Sequence, residues 1–190
     1  MTTLVELDGV SPTIGHDVWL APTAVLIGDV RVGDRANIWF GTVLRGDFSY
    51  IEVGEEASIQ DNAVVHCGIE LPTIIGRRVT IGHGALVEGC VIEDDALVGM
   101  GAIVLHQAHV GEGAMLAAGA VIPERATAPA GMLTAGVPGR PKKPMTGAAG
   151  RWPQMATDDY QGLRSLYLEK SIARDSEHAG PRLGPQVKES

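Results

Sequence analysis

Aromatic side chains make up only 4% of the 190 residues, which excludes a core built mainly of stacked rings and leaves aliphatic side chains to fill it. Cysteine is nearly absent. Cys67 and Cys90 are too few for a disulfide framework and suit a reducing compartment as inert buried thiols. Positive charge is in deficit, with 15 Lys and Arg against 23 Asp and Glu for a net charge of −8, a poor match to nucleic-acid backbones or anionic membranes. No run of about 18 apolar residues occurs, and no basic stretch leads into a short apolar one at the start, so neither a membrane span nor export is expected. The expected location is the cytoplasm.

What the sequence does have is 45% hydrophobic residues, 25 glycines and a period of six. From Ile14 the steps reach Leu20, Leu26, Val32, Ile38 and Leu44, then Val53, Ile59 and Val65 after a short insertion. A second insertion leads to Ile75, Ile81 and Val87, and one step of five leads to Ile92, Val98, Val104, Val110, Leu116 and Ile122. Every anchor is Ile, Leu or Val. Four residues later the chain is usually small or branched, as at Ala24, Ala63, Val91 and Ala114, with Phe48 and Ile69 as exceptions. Periods of 3.6 or 2 do not sustain such a repeat, whereas hexapeptide repeats build a solenoid of short parallel strands. Three anchors per coil predict an all-β solenoid of about six coils over residues 1–140.

Insertions at residues 47–52 and 68–74 predict two loops leaving the prism, and loops on a rigid scaffold commonly carry function. A Gly- and Pro-rich linker is expected over 141–156, a C-terminal α-helix over 157–175 and a disordered tail over 176–190. Thr157 reads as the N-cap of that helix, with Leu163, Leu166, Tyr167 and Ile172 as an imperfect apolar side.

Stacking turns sequence offsets into neighbours about 4.8 Å apart. The residues just after one set of anchors form the column Ile27, Arg45, His66, Glu88, Leu105, Pro123, so Arg45, His66 and Glu88 should stack outward on one face. A second column runs Ala21, Trp39, Gln60, Gly82, Gly99, Ala117, with His83 one place beyond, on a different face. Two readings are open: a surface ion pair of His66 and Glu88 beneath Arg45, or a metal site of His66, His83 and Glu88. The second needs His83 from another subunit, in an oligomer with threefold symmetry. His106 and His109 are expected to be surface histidines, His16 and His178 have no evident partner, and Trp39 is expected to pack an interface.

Arg45-Gly46-Asp47, Gln60-Asp61-Asn62, His66, Gly82-His83 and Gly89-Cys90, set on hexapeptide coils, resemble the gamma-class carbonic anhydrase family. The resemblance implies a left-handed parallel β-helix and a homotrimer. It further implies zinc or iron at each interface, held by His66 and residue 88 of one chain and His83 of the next. It implies hydration of carbon dioxide to bicarbonate, with Gln60 orienting a metal-bound hydroxide and Arg45 and Asp47 tying subunits together. The chain departs from the family in carrying Glu88 where a third histidine stands and Phe48 where an acidic residue stands. A carboxylate ligand should raise the pKa of bound water. The short loop leaves Glu70 as the candidate proton shuttle. A hexapeptide acyltransferase using acyl-CoA and a non-catalytic trimer that binds a small ligand or scaffolds partners share the same prism and stay open.

Overall fold

A computed structural model describes residues 2–170. The chain winds into a left-handed parallel β-helix of about seven turns, closed by a C-terminal helix. All the six-step anchors point inward and are buried, and they stack in register: Leu26 on Leu44, Leu44 on Val65, Val65 on Val87, Val87 on Val104 and Val104 on Ile122. Rungs beyond the periodic stretch bring the count above six. Thr3–Val5 adds one before the first anchors, and Thr127–Ala128 and Met132–Ala135 extend the far end with Ala128 and Thr134 inward. An antiparallel strand, Arg140–Pro144, pairs back on Met132–Ala135 and closes the prism inside the segment expected partly as linker.

The insertions differ from the expectation of two loops. Residues 47–52 stay within one bent strand, Val43–Val53, which pairs along Val25–Val32 around a corner with a register shift between Gly28 and Val30. Only the second insertion leaves the prism, as a tight turn bridged by Gly68 and Leu71. The step of five also has a structural cause: Val91 faces outward and Cys90 fills the interior, as Cys67 does one coil earlier. Burial pushes the Cys90 thiol up to about 12, so it stays protonated.

One corner carries a ladder of left-handed residues, Asp17, Arg35, Glu56, Arg78 and Asp95, whose charges alternate in sign from coil to coil. Arg35 meets Glu56 at 2.9 Å, Arg78 meets Glu56 at 2.9 Å, and Arg78 meets Asp95 at 3.3 Å. Glycine is needed at the start of this corner: a Cβ on Gly54 would lie 2.5 Å from the Gly76 carbonyl carbon on the next coil.

The helix runs Trp152–Glu169, beginning ahead of the expected Thr157, with Pro153 in its first turn. Thr157 is therefore not its N-cap. Its hydroxyl donates to the Arg78 carbonyl at 2.7 Å, Gln161 Nε2 donates to the Arg35 and Glu56 carbonyls at 3.0 and 3.1 Å, and Arg164 Nε donates to the Asp17 carbonyl at 2.9 Å. These residues sit one helical turn apart, a rise of about 5.4 Å that nearly matches the strand spacing. The helix thus satisfies the corner's carbonyls coil by coil, which explains why its inner side is not a plain apolar stripe. Leu163 and Leu166 are exposed, while Tyr160 and Tyr167 pack with Trp19, Trp39 and Phe40. Trp39, expected at an interface, is buried beneath its own chain's helix. The expected end of the helix, the tail and His178 lie outside the described residues. Among the described residues no helix is long and apolar enough to cross a membrane.

Candidate metal centre

The column register follows the sequence arithmetic, with Ile27 beside Arg45, Arg45 beside His66 and His66 beside Glu88 on successive strands. In Val64–His66 the middle residue is inward, so Val64 and His66 both face out. His66 Nδ1 lies 2.8 Å from Glu88 Oε1, and its Nε2 lies 2.8 Å from Asp47 Oδ1. Arg45 Nη1 donates to the other oxygen of Asp47 within the same chain. Burial raises the Asp47 carboxyl, but the hydrogen bonds with His66 and Arg45 outweigh it and hold the group below its ordinary value. Glu88 behaves alike: burial pushes it up, and His66 and then His106 bring it down.

His83 sits on the adjoining face and does not meet His66 within the chain. Its Nδ1 lies 2.9 Å from Asp61 Oδ2, its Nε2 lies 3.1 Å from the Tyr160 hydroxyl, and its backbone N–H donates to buried Gln60 Oε1 at 3.2 Å. The Tyr160 hydroxyl is raised first by burial and then by the Asp61 charge. Glu70 occupies the tip of the turn after Gly68, exposed and with φ +56°, and no hydrogen bond or ion pair joins it to His66, His83 or Glu88. Phe48 is exposed and its ring lies 5.7 Å from that of His66.

The donors around His66 suit a divalent ion. Asp47, His66 and Cys67 offer ligand atoms that all lie within 4.8 Å of one another, and Glu88 flanks the same ring. A neutral imidazole has one N–H and one lone pair, so with a carboxylate on each side one nitrogen points its lone pair at negative charge. A cation between ring and carboxylate turns that opposition into attraction. Cys67 Sγ already accepts the Ser49 N–H at 3.2 Å from inside the prism, which leaves imidazole nitrogen and carboxylate oxygen as the outward donors.

Three residues here make contacts that the sequence did not assign to them. Asp61 follows from the same column rule, since it stands one coil before His83 as His66 stands before Glu88. Tyr160 depends on where the helix docks, for which no sequence signal exists. His106 keeps 37% of its side chain exposed, as expected of a surface histidine, but turns Nε2 to 3.3 Å from Glu88, whereas His109 pairs with Glu93 at 2.9 Å.

The family model described as "Bacterial transferase hexapeptide (six repeats)" matches residues 11–46 and 89–124. A "Probable carbonic anhydrase" of Methanocaldococcus jannaschii is 50% identical over 133 residues, covering 70% of this chain and 84% of its own length. "Gamma carbonic anhydrase 2, mitochondrial" of Arabidopsis thaliana is 38% identical over 175 residues, 89% of this chain, which spans only 63% of that plant protein. Among solved structures, a hexapeptide transferase family protein from Anaplasma phagocytophilum superposes with a TM-score of 0.84 at 43% identity, covering 87% of this chain and 98% of that one. With the repeat, the solenoid and these likenesses together, the chain belongs to the gamma-class carbonic anhydrase family of hexapeptide-repeat proteins.

Proposed function

We propose that this protein is a metal-dependent lyase that hydrates carbon dioxide to bicarbonate at sites shared between copies of the chain. The observation that carries the reading is the stacking of His66 on Glu88 on one face while His83, its ring oriented by Asp61, stands on the next. His66 and Glu88 of one chain and His83 of its neighbour would hold zinc or iron. A bound divalent metal supplies Lewis acidity that brings the pKa of water down toward neutrality.

The chain's own residues supply the rest. Asp47, itself held by Arg45, fixes the orientation of the His66 ring. Gln60 is buried beside His83 with its oxygen engaged by a backbone N–H, so its amide N–H group is the one left to orient a reacting oxygen. Glu70, at an exposed tip, would exchange protons with solvent.

A homotrimer is supported by a second outward column, Val25, Val43, Val64, Leu86, Ile103 and Val121, which runs in register beside the His66 column. Val64 and Leu86 on it are exposed. A stripe of stacked aliphatic side chains flanking the candidate ligands is a surface suited to self-association.

Mixing two variants tests the shared site. His66→Ala and His83→Ala should each lose metal, and remixing them under subunit exchange should restore part of it, because some interfaces regain all ligands. No recovery with exchange demonstrated would place both histidines in one chain's site. Metal-loaded trimer that hydrates carbon dioxide no faster than buffer would sink the lyase reading and leave the metal site standing.

A further inference from the structure

Glu88 has a neighbour that the reading above does not use. His106 turns Nε2 to 3.3 Å from Glu88 Oε1, the same oxygen that lies 2.8 Å from His66 Nδ1. Imidazoles from the coil before and the coil after therefore converge on one carboxylate oxygen. Nε2 of His106 is shut off from solvent and makes no well-aligned hydrogen bond, so the acceptor within reach is this carboxylate. The ring lies in a space that two glycines keep open. A Cβ on Gly89 would stand 2.7 Å from His106 Cδ2, and one on Gly68 would stand 3.3 Å from Nε2.

His106 meets Glu88 from the coil after, one place past the column that carries His66 and Glu88, and its Nε2 faces the carboxylate from a position closed to solvent. A glutamate reaches a ligand position on a flexible stem and offers either of two oxygens, so its orientation has to be fixed by a further hydrogen bond. We infer that His106 is a positioning residue: it donates Nε2–H to the Glu88 carboxylate and holds it in the orientation that binds metal, so that Glu88 and His106 act as one unit at the third-ligand position. This rests on the metal reading above.

The experiment measures Co²⁺ and Zn²⁺ affinity by competition with a chromophoric chelator for wild type, His106→Ala, His106→Gln, Glu88→His and Glu88→His/His106→Ala. The Co²⁺ visible spectrum, and the thermal midpoint and sedimentation without metal, are read on the same samples. His106→Ala should weaken metal binding about 10- to 100-fold and alter the Co²⁺ spectrum. The thermal midpoint and sedimentation should stay unchanged. His106→Gln, whose amide N–H can still donate, should recover part of the affinity. In the Glu88→His background there is no carboxylate to hold, and His106→Ala should then change affinity by less than about threefold. Equal affinity of His106→Ala and wild type overturns the inference while the metal reading survives. An equal loss in both backgrounds also overturns it, since His106 would then act without Glu88. Wild type that binds neither ion overturns the metal reading and this inference together.

Discussion

The Tyr160 hydroxyl lies 3.1 Å from Nε2 of His83, 77 residues earlier in the chain. The C-terminal helix is thus tied to a candidate ligand as well as to the scaffold. Tyr160→Phe keeps the ring against Trp39 and removes only this contact. Expected are an unchanged fold and a shifted His83 imidazole signal in NMR, with a stability cost on the order of 1 kcal/mol. An unmoved His83 signal would mean that the contact does not persist in solution.

Docking of the helix should depend on Gln161 more than on its exposed leucines. Gln161→Leu leaves the Arg35 and Glu56 carbonyls without their donor and should cost about 1–3 kcal/mol in chemical denaturation, whereas Leu166→Gln should stay within about 0.5 kcal/mol. Equal effects would show that polar capping does not seat the helix.

Glu56 makes stability depend on pH in a known direction. Its hydrogen bond to Arg78 is the largest influence and, with Arg35, holds the folded carboxyl below its ordinary value against the opposing effect of burial. A carboxyl depressed in the folded state contributes stability that is fully present above its unfolded value, about pH 4.3, and fades as pH falls through the lower folded value. Glu56→Gln should therefore destabilise at pH 7 by on the order of 1 kcal/mol and flatten the acid limb of the stability curve. A variant with an unchanged acid limb would show that Glu56 gives nothing there.

The outward aliphatic column should govern assembly. Leu86→Asp puts a charge in the middle of that stripe and should convert trimer to monomer by sedimentation, with the circular dichroism of the solenoid retained. A stable trimer carrying Leu86→Asp would place the interface elsewhere.

Gly54→Ala tests corner packing, since the new methyl would meet backbone of the following coil. The backbone must shift, and a loss of about 1–3 kcal/mol is expected in thermal or chemical unfolding. A neutral substitution would mean that the coils part easily at this edge.

The solenoid and the His66–Glu88 stack were legible because a parallel helix with a fixed period converts sequence arithmetic directly into contacts. Arg45, His66 and Glu88 needed nothing beyond that rule, and Asp61 beneath His83 was available from it as well. The rule failed where the chain leaves the period. Residues 47–52 became a bent strand, since an insertion can widen a corner as readily as extrude a loop. The rule leaves His106, one place past the column, on the surface, and gives no sign that the space over Gly68 and Gly89 lets its ring turn back toward Glu88. The start of the helix is not legible because Thr157 offers the same hydroxyl to a cap or to a neighbouring carbonyl, and only docking decides which.

Every turn of this prism offers nearly the same aliphatic interior, so hydrophobic burial alone does not tell one coil from the next. A growing solenoid that skipped a turn would still find a matching aliphatic surface to stack on. The corner of alternating charges breaks this degeneracy. Correct winding places Arg35, Glu56, Arg78 and Asp95 in sequence, each beside its opposite, whereas omission of Glu56's coil would set Arg35 against Arg78. The edge works as a parity check on winding: a single skipped coil brings like charges together, and an error that escapes the sign rule must skip two coils and forfeit twice the buried core.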